Sequence, residues 1–237
     1  MDVGRQTHAT TIGRWLMLKH TADRVLSSVG VVVISPLLLL IAAAILVDTG
    51  RPVFFLQERA GLLGRPFRVI KFRTMIQGAD LVSFGKIVGE DSQLITRTGG
   101  FLRHWSLDEL PELLNVVRGE MSLVGPRPTY VYQTASYSLE QKKRMLMKPG
   151  ITGWAQVNGR NSLDWSHRIC LDVWYVEHWS LWLDLKILVR TIGVVIHSTS
   201  VYAETSRRDS IVDGNQTPTT PGTGTEDCQD KEDHYGH

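Results

Sequence analysis

Two adjacent carboxylates, Asp108 and Glu109, lie at the start of the stretch Ser106–Pro128, which ends in a proline-flanked arginine, Arg127. Leucines at helical spacing surround Pro111, and a helix tolerates proline only in its first turn, so a helix is predicted to begin near Asp108. The positive end of a helix dipole favours ionised carboxylates and can also hold a phosphate. These residue types and spacings indicate acid chemistry or phosphate chemistry.

The same residues also have a purely structural interpretation. Ser106 and Glu109 match a capping box, in which Asp108 would only add charge to the first turn. The sequence Gly125-Pro126-Arg127-Pro128 leaves Arg127 little backbone freedom, which suits a guanidinium that binds two phosphate oxygens. A surface turn explains this tetrapeptide equally well. The stretch by itself leaves both alternatives open.

Other basic residues lie where they could join the carboxylates. Lys71 and Arg73 fall in the strand-like run Phe67–Met75, and a period of two places them on one face, where an anion could bind. Solvated charges on an edge strand are the alternative. Arg103 precedes Asp108 by five residues and can reach the same site if the intervening turn folds back.

The apolar run Val25–Val47 contains no charged residue and is long enough to span a membrane. Pro36, near its middle, removes one helical hydrogen bond, and Ser35 can satisfy a freed backbone group. Each half extends only about 16 Å, too short for a hydrocarbon core of about 30 Å. Because basic residues flank both ends, we predict a re-entrant helix-break-helix with its break at Ser35 and Pro36. A kinked spanning helix is the alternative.

Length and composition set the remaining limits. A chain of 237 residues fits one domain with appendages, and a net charge of +2 does not suggest a nucleic-acid binder. Residues 203–237 lack an apolar period and are predicted to be disordered.

Residues 181–196 are predicted to form an amphipathic helix that lies at a membrane interface or packs on the core. The other predicted elements are a strand at Val53–Phe55, a polar helix between Tyr130 and Lys148, a short strand within Lys148–Asn161 and a helix over about Leu163–Trp179.

With these motifs in order, the chain resembles the bacterial sugar transferase family, the monotopic phosphoglycosyl transferases. The resemblance covers about residues 15–202. The matching motifs are the apolar run with Ser35-Pro36, Lys71–Met75, Ser106–Pro128, Lys148–Asn161, Leu171–Tyr175 and Trp179–Lys186. The resemblance implies a mixed α/β, mostly helical monotopic membrane protein with four parts: a polar segment 1–24, a re-entrant helix 25–47, a cytosolic catalytic domain 48–202 and the tail 203–237. By this resemblance the chain is expected to be the catalytic core alone, without the extra transmembrane domain of longer family members.

The resemblance also implies a reaction in two steps. Asp108 would attack the sugar-linked phosphate of a UDP-sugar, release UMP and form a phosphosugar-aspartate, which polyprenyl phosphate would then attack. The product would be polyprenyl-diphospho-sugar. This is the first membrane-bound intermediate in the synthesis of exopolysaccharide, capsule, O-antigen or glycoprotein glycans. A membrane-anchored adaptor without catalysis is the competing interpretation.

The same resemblance implies roles for individual residues. Asp108 and Glu109 would be the catalytic pair and would hold Mg²⁺, whereas Arg103 and Arg127 would bind substrate phosphate. Lys71 and Arg73 are weaker candidates for phosphate binding. The implied partners are a UDP-sugar, polyprenyl (undecaprenyl) phosphate and membrane lipid. The resemblance is also compatible with a homodimer. The implied location is the cytoplasmic face of a bacterial inner membrane.

Overall fold

The computed structural model describes residues 3–79, 93–159 and 163–197, a mixed α/β fold in which helices predominate. The helices are α1 (Val3–Thr49), α2 (Arg97–His104), α3 (Glu112–Arg118), α4 (Val131–Thr134), α5 (Leu139–Lys142), α6 (Trp154–Val157), α7 (Trp165–Glu177) and α8 (Leu181–His197). The strands are β1 (Phe54–Ala60), β2 (Pro66–Phe72), β3 (Ser122–Val124) and β4 (Gly150–Thr152), and 3₁₀ turns cover Leu62–Gly64, Leu107–Glu109 and Lys143–Leu146. The predicted disordered tail lies outside the described residues.

The helix α1 continues through Ser35 and Pro36. Pro36 has no N–H to donate to the carbonyl of Val32, and the hydroxyl of Ser35 donates to that carbonyl instead, at 2.8 Å. The predicted role of Ser35 at the proline is therefore confirmed. The predicted break at Ser35 and Pro36 is not confirmed, because α1 is one helix from Val3 to Thr49. The portion Gly13–Thr49 is long and apolar enough to cross a membrane, and little of its most apolar part is buried against the rest of the chain.

The helix α1 packs on the globular part of the chain both before the apolar run and near the C-terminal end of that run. Towards the C-terminal end, Ile41 and Ile45 are buried against residues that include Phe72 and Leu102. Towards the N-terminal end, Lys19 forms an ion pair with Asp184 of α8, Nζ to Oδ2 at 2.6 Å. The side of α1 between these contacts exposes large apolar residues, namely Val25, Leu26, Val29, Val32, Val33, Leu39 and Leu40.

The pair of Lys19 and Asp184 belongs to a buried polar cluster. Tyr175 donates its hydroxyl to Asp184 Oδ1 at 2.6 Å, and Trp179 donates its indole N–H to Asp184 Oδ2 at 3.1 Å. One turn further along α1, Asp23 accepts a hydrogen bond from the hydroxyl of Ser122 in β3. Since a buried charge is tolerated only when it is paired and hydrogen-bonded, this cluster fixes the N-terminal part of α1 on the globular domain.

The two strands predicted at Val53–Phe55 and within Phe67–Met75 are confirmed and form an antiparallel hairpin. The strand β1 pairs with β2 in a register that places Phe54 opposite Phe72 and Phe55 opposite Lys71. A second, parallel pair joins β3 to β4. The first strand is longer than predicted, and β2 ends at Phe72, so Arg73 lies just beyond the ladder.

The predicted polar helix between Tyr130 and Lys148 was wrong as a single element. The structure has two short helices, α4 and α5, followed by the 3₁₀ turn Lys143–Leu146. Ser138 explains the division, because its side chain and that of Gln141 form a capping box that starts a new helix at Leu139. The segment after Lys148 contains the predicted short strand as β4, but also the short helix α6.

The two C-terminal helices, α7 and α8, agree closely with the predicted bounds. One face of α8 enters the core, where Leu183 and Ile187 pack with Tyr175 and Trp154. Another face remains exposed and is rich in apolar residues, namely Leu181, Trp182, Leu185, Val189 and Ile192. The predicted amphipathic character is therefore confirmed, and packing accounts for one of its faces.

Candidate active site

The two adjacent carboxylates lie in the 3₁₀ turn Leu107–Glu109, just before α3. Ser106 has a left-handed backbone with φ of 54°, and its side chain does not cap this turn. The capping box was therefore a wrong interpretation, because an N-cap residue needs an extended backbone. The predicted helix start near Asp108 was also early, since α3 begins at Glu112.

Glu109 is held by two cations from other elements. Its Oε1 lies 2.6 Å from Lys71 Nζ in β2 and 2.9 Å from Arg127 Nη2, in the loop after β3. Burial raises the pKa of Glu109, but Lys71 and Arg127 outweigh it and hold that pKa far below its usual range. Because the Arg127 side chain remains 48% exposed, it can contact Glu109 and still meet a ligand.

A third carboxylate, Glu112, completes this group and was missed in the sequence. It is 3% exposed, and its Oε1 lies 3.2 Å from Lys71 Nζ. Burial, together with repulsion from Glu109, raises the pKa of Glu112 to about 7 although Lys71 opposes this. The available signal was its spacing of four residues from Asp108, one helical turn.

Asp108 differs from both neighbours, since no ion pair to it occurs in the part of the chain that the structure describes. Burial raises its pKa to about 6, repulsion from Glu109 adds to this, and Lys71 and Arg103 act in the opposite direction. Asp108 is thus the least directly paired of the three carboxylates, and burial and Glu109 outweigh the nearby cations in setting its pKa.

Arg103 reaches the site from α2, which packs closely on the end of the hairpin. Its Nε donates to Thr74 Oγ1 at 2.9 Å. Gly99, one turn earlier on α2, makes this approach possible, because a Cβ there would lie 2.0 Å from the Thr74 carbonyl oxygen. Arg103 also lies near enough to Asp108 to act against the rise in the pKa of that carboxyl.

Arg73 does not join the other basic residues. Its Nη2 donates to the carbonyls of Thr49 at 3.0 Å and Gly50 at 2.8 Å and to Thr49 Oγ1 at 2.6 Å, so it caps the C-terminal end of α1. Lys71 and Arg73 were predicted to share a face, but β2 ends between them. The structure gives Arg73 a role in anchoring α1.

Asn115 in α3 fixes the distance between the carboxylates and Lys71. Its Oδ1 accepts the backbone N–H of Ile70 at 3.0 Å, and its Nδ2 donates to the carbonyl of Arg68 at 2.7 Å. These contacts hold α3 against β2 beside Lys71, with Asn115 fully buried. A lone asparagine in an apolar helix gave no signal of this role in the sequence.

The carboxylates at the site fit a magnesium ion that takes only one or two ligands from the protein and the others from water and substrate phosphate. The described residues contain no group of three or more His, Cys, Asp or Glu side chains that could hold a metal. Mg²⁺ commonly uses only one or two carboxylates and completes its shell with water and phosphate oxygens. Asp108 suits such a site. Glu109 suits it less well than predicted, because its Oε1 is paired with Lys71 and Arg127.

Comparison with known proteins shows the family of the chain. Residues 14–198 match the sequence profile of the family described as bacterial sugar transferase. The chain is 47% identical over 167 residues to an uncharacterised sugar transferase, EpsL, of Bacillus subtilis, covering 70% of this chain and 81% of that protein. It is 38% identical over 200 residues to the exopolysaccharide production protein ExoY of Rhizobium meliloti, covering 78% and 88%.

Longer relatives are matched over only part of their length. One is the UDP-glucose:undecaprenyl-phosphate glucose-1-phosphate transferase of Escherichia coli, 41% identical over 187 residues that cover 74% of this chain and 39% of that protein. A UDP-galactose-lipid carrier transferase of Erwinia amylovora is 40% identical over 199 residues, covering 78% and 42%. The chain thus spans about two fifths of these longer proteins.

Replacing Glu109 and Glu112 one at a time shows whether the negative charge of each side chain stabilises or destabilises the fold. Glu109→Gln leaves Lys71 and Arg127 without their shared anion, so we expect a loss of stability on the order of 1 to 3 kcal/mol. Glu112→Gln is not expected to lower the stability of the fold. The raised folded-state pKa of Glu112 means that its charge destabilises the fold above the unfolded pKa, so a neutral amide at pH 8 leaves stability unchanged or higher.

Thermal unfolding of both variants in detergent at pH 8 measures this difference. The midpoint should fall by several degrees for Glu109→Gln and stay level or rise for Glu112→Gln. Equal losses in the two isosteric variants would contradict the unequal charge states.

Proposed function

This chain belongs to the bacterial sugar transferase family, and we propose that it transfers a sugar phosphate from a UDP-sugar to polyprenyl phosphate through a covalent intermediate on Asp108. As a member of that family it is a transferase. The observation that carries the proposal is the contrast between Asp108, which has no ion-pair partner in the described residues, and Glu109, which two cations hold. Relatives whose names specify UDP-glucose or UDP-galactose support the class of donor.

The reaction has two displacement steps at one phosphorus atom. A carboxylate oxygen of Asp108 attacks the phosphorus next to the sugar, and the bond from that phosphorus to the UMP oxygen breaks. A phosphate oxygen of polyprenyl phosphate then attacks the same phosphorus, and the bond to Asp108 breaks. The products are UMP and polyprenyl-diphospho-sugar, with Asp108 again a free carboxylate.

The cations around Asp108 supply what this chemistry requires. A carboxylate attacks a phosphate anion slowly unless both negative charges are screened. Lys71, Arg103 and Arg127 surround the carboxylates from three different elements, and the exposed part of Arg127 is available to phosphate oxygens. When Mg²⁺ is bound through Asp108, with Glu109 as a weaker second ligand, it adds further neutralisation of the diphosphate. The products of such a reaction start polysaccharide or glycoconjugate assembly.

Replacement of Asp108 by asparagine tests the covalent step. Asp108→Asn retains shape but removes the nucleophile, so we expect UMP release from a panel of UDP-sugars to fall by at least about 1,000-fold. The assay uses the protein in nanodiscs with Mg²⁺, with and without undecaprenyl phosphate. Rapid mixing should show one UMP per enzyme without acceptor and sustained turnover with it.

The same assay identifies the sugar, since only the accepted donors release UMP. Turnover by Asp108→Asn close to that of the unaltered protein would contradict the covalent mechanism. A folded, unaltered protein that releases UMP from none of the donors would contradict the choice of substrate class.

The pH dependence of the first step follows from the state of Asp108. Only the ionised carboxylate is a nucleophile, and burial raises its pKa to about 6 in the protein without metal. Because a cation bound to Asp108 would lower that pKa, the rise of UMP formation with pH should lie below about pH 6 and move to lower pH as the Mg²⁺ concentration increases. Initial rates between pH 5 and 8 at several Mg²⁺ concentrations measure this, after preincubation shows that the protein remains folded. A pH profile that does not move with the Mg²⁺ concentration would contradict metal binding at Asp108.

The contacts of α1 support a re-entrant membrane topology, which we propose for this chain. Lys19 and Ile45 both contact the globular domain, and a straight helix between them would extend about 39 Å, more than the hydrocarbon core of about 30 Å. A domain on one side of a membrane cannot contact both ends of a spanning helix. The exposed apolar faces of α1 and α8 would then enter one leaflet, on the cytoplasmic side, where nucleotide sugars occur.

Cysteine labelling in intact cells tests this topology. In an active background with Cys170 and Cys228 replaced by serine, Arg14→Cys and Arg51→Cys place thiols at exposed positions before and after the apolar run. A re-entrant helix predicts that an impermeant maleimide labels neither thiol until the membrane is permeabilised. Labelling of Arg14→Cys alone in intact cells would demonstrate a spanning helix.

A further inference from the structure

The loop Pro126–Thr129 carries Arg127 and is anchored through its carbonyl groups. All four carbonyls accept a hydrogen bond from another part of the chain: Pro126 from the Gly150 N–H at 2.9 Å, Arg127 from Arg144 Nη2 at 3.0 Å, Pro128 from Arg59 Nη1 at 3.5 Å and Thr129 from the Ala60 N–H at 2.8 Å. Since Pro126 and Pro128 have no N–H, carbonyls are the main backbone anchors here. Arg144 is the anchor at Arg127 itself.

Arg144 is built into this position by a buried network. Its side chain is 4% exposed, and its Nη2 also forms an ion pair with Asp172 of α7, which is 1% exposed. Its Nη1 donates to the hydroxyl of Tyr137 at 2.9 Å, and that hydroxyl lies 2.9 Å from Thr129 Oγ1. One guanidinium therefore connects α7, Tyr137 and both ends of the loop segment Arg127–Thr129.

Stability alone is a poor explanation of this network. A buried ion pair contributes little net stability, and apolar residues of similar volume often replace one without loss. One oxygen of Asp172, Oδ1, even lies buried without a hydrogen bond. What an apolar residue could not provide is the planar fork, which donates to a carboxylate, a hydroxyl and the Arg127 carbonyl from one rigid group.

We propose that Arg144 is a positioning residue for the transfer reaction, because its guanidinium, held by Asp172 and Tyr137, fixes the Arg127 backbone and so places the Arg127 side chain at Glu109. The inference rests on the proposed function, in which Arg127 binds substrate phosphate. Arg144 touches neither Asp108 nor Glu109 within the described contacts and acts only through Arg127. A displacement of about 1 Å in such a group is enough to slow a reaction about 100-fold.

A double-mutant cycle tests this role. Arg144→Lys keeps a positive charge near Asp172 but loses the fork, and we expect kcat for UMP release to fall roughly 10- to 100-fold. Tyr137→Phe, which removes only one orienting contact, should reduce kcat less and in the same direction. In an Arg127→Ala background, Arg144→Lys should reduce the rate no further, because the group that it positions is gone.

Lys143→Gln provides a matched control. Lys143 also connects the turn Lys143–Leu146 to α7, through Glu177 at 2.6 Å, but it does not contact the loop of Arg127. This variant should leave kcat unchanged. Thermal unfolding of every variant confirms that the proteins compared are folded.

Three outcomes would overturn the inference. Normal kcat in a folded Arg144→Lys would show that the fork is dispensable, and equal losses in Lys143→Gln would show that any link to α7 matters. Losses that multiply in the double variant would show that Arg144 acts independently of Arg127. In each of these cases the unaltered protein remains active, whereas absence of UMP release from the unaltered protein would overturn the proposed function as well.

Discussion

The site depends on charge balance around neighbouring carboxylates. Asp108, Glu109 and Glu112 lie within one helical turn of each other, and partly buried like charges repel unless cations reach them. The chain brings Lys71 from the hairpin, Arg127 from the loop after β3 and Arg103 from α2 to one place. Packing of these three elements is therefore a condition for the three carboxylates to lie together. In the proposed reaction the same cations would also screen an anionic substrate.

The cations are distributed unequally, and this inequality separates the roles of the acids. Two cations contact one oxygen of Glu109, Lys71 also reaches Glu112, and Asp108 is left without an ion pair among the described residues. A carboxylate locked by two cations is a poor nucleophile, but it is a good support that holds Lys71 and Arg127 in place. Asp108 receives their field without being held by them, which suits a group that must form and break a bond.

The long helix α1 is part of the same packed structure as well as the apolar segment of the chain. Arg73 caps its C-terminal end, and Ile41 and Ile45 pack beside the hairpin and the turn that carries Asp108. Lys19 anchors its other end to α8. Attachment at both ends couples the depth of the apolar segment in a membrane to the height of the candidate site, as the proposed transfer to a lipid phosphate requires.

Local patterns in the sequence identified most of the elements. The apolar run, the hairpin, α7 and α8 follow from periods and turn residues, and the motif around Asp108 and Glu109 drew attention to the carboxylates that the structure surrounds with cations. Patterns failed where a local signal competed with packing. Ser106 matched a cap but has a left-handed backbone, and the segment after Tyr130 lacks a strong period and divides at Ser138.

The sequence by itself determined which residue types were available, since Asp108, Glu109, Arg103, Arg127 and Lys71 are each visible in motifs. Only the tertiary structure decided which of them meet. It separated Lys71 from Arg73, because β2 ends between them, and it added Glu112, Asn115 and Arg144. Asn115 contacts residues 45 and 47 positions away, and Arg144 contacts residues 17 and 28 positions away. Contacts between residues so distant in the chain leave no local period, because they depend on how whole elements pack.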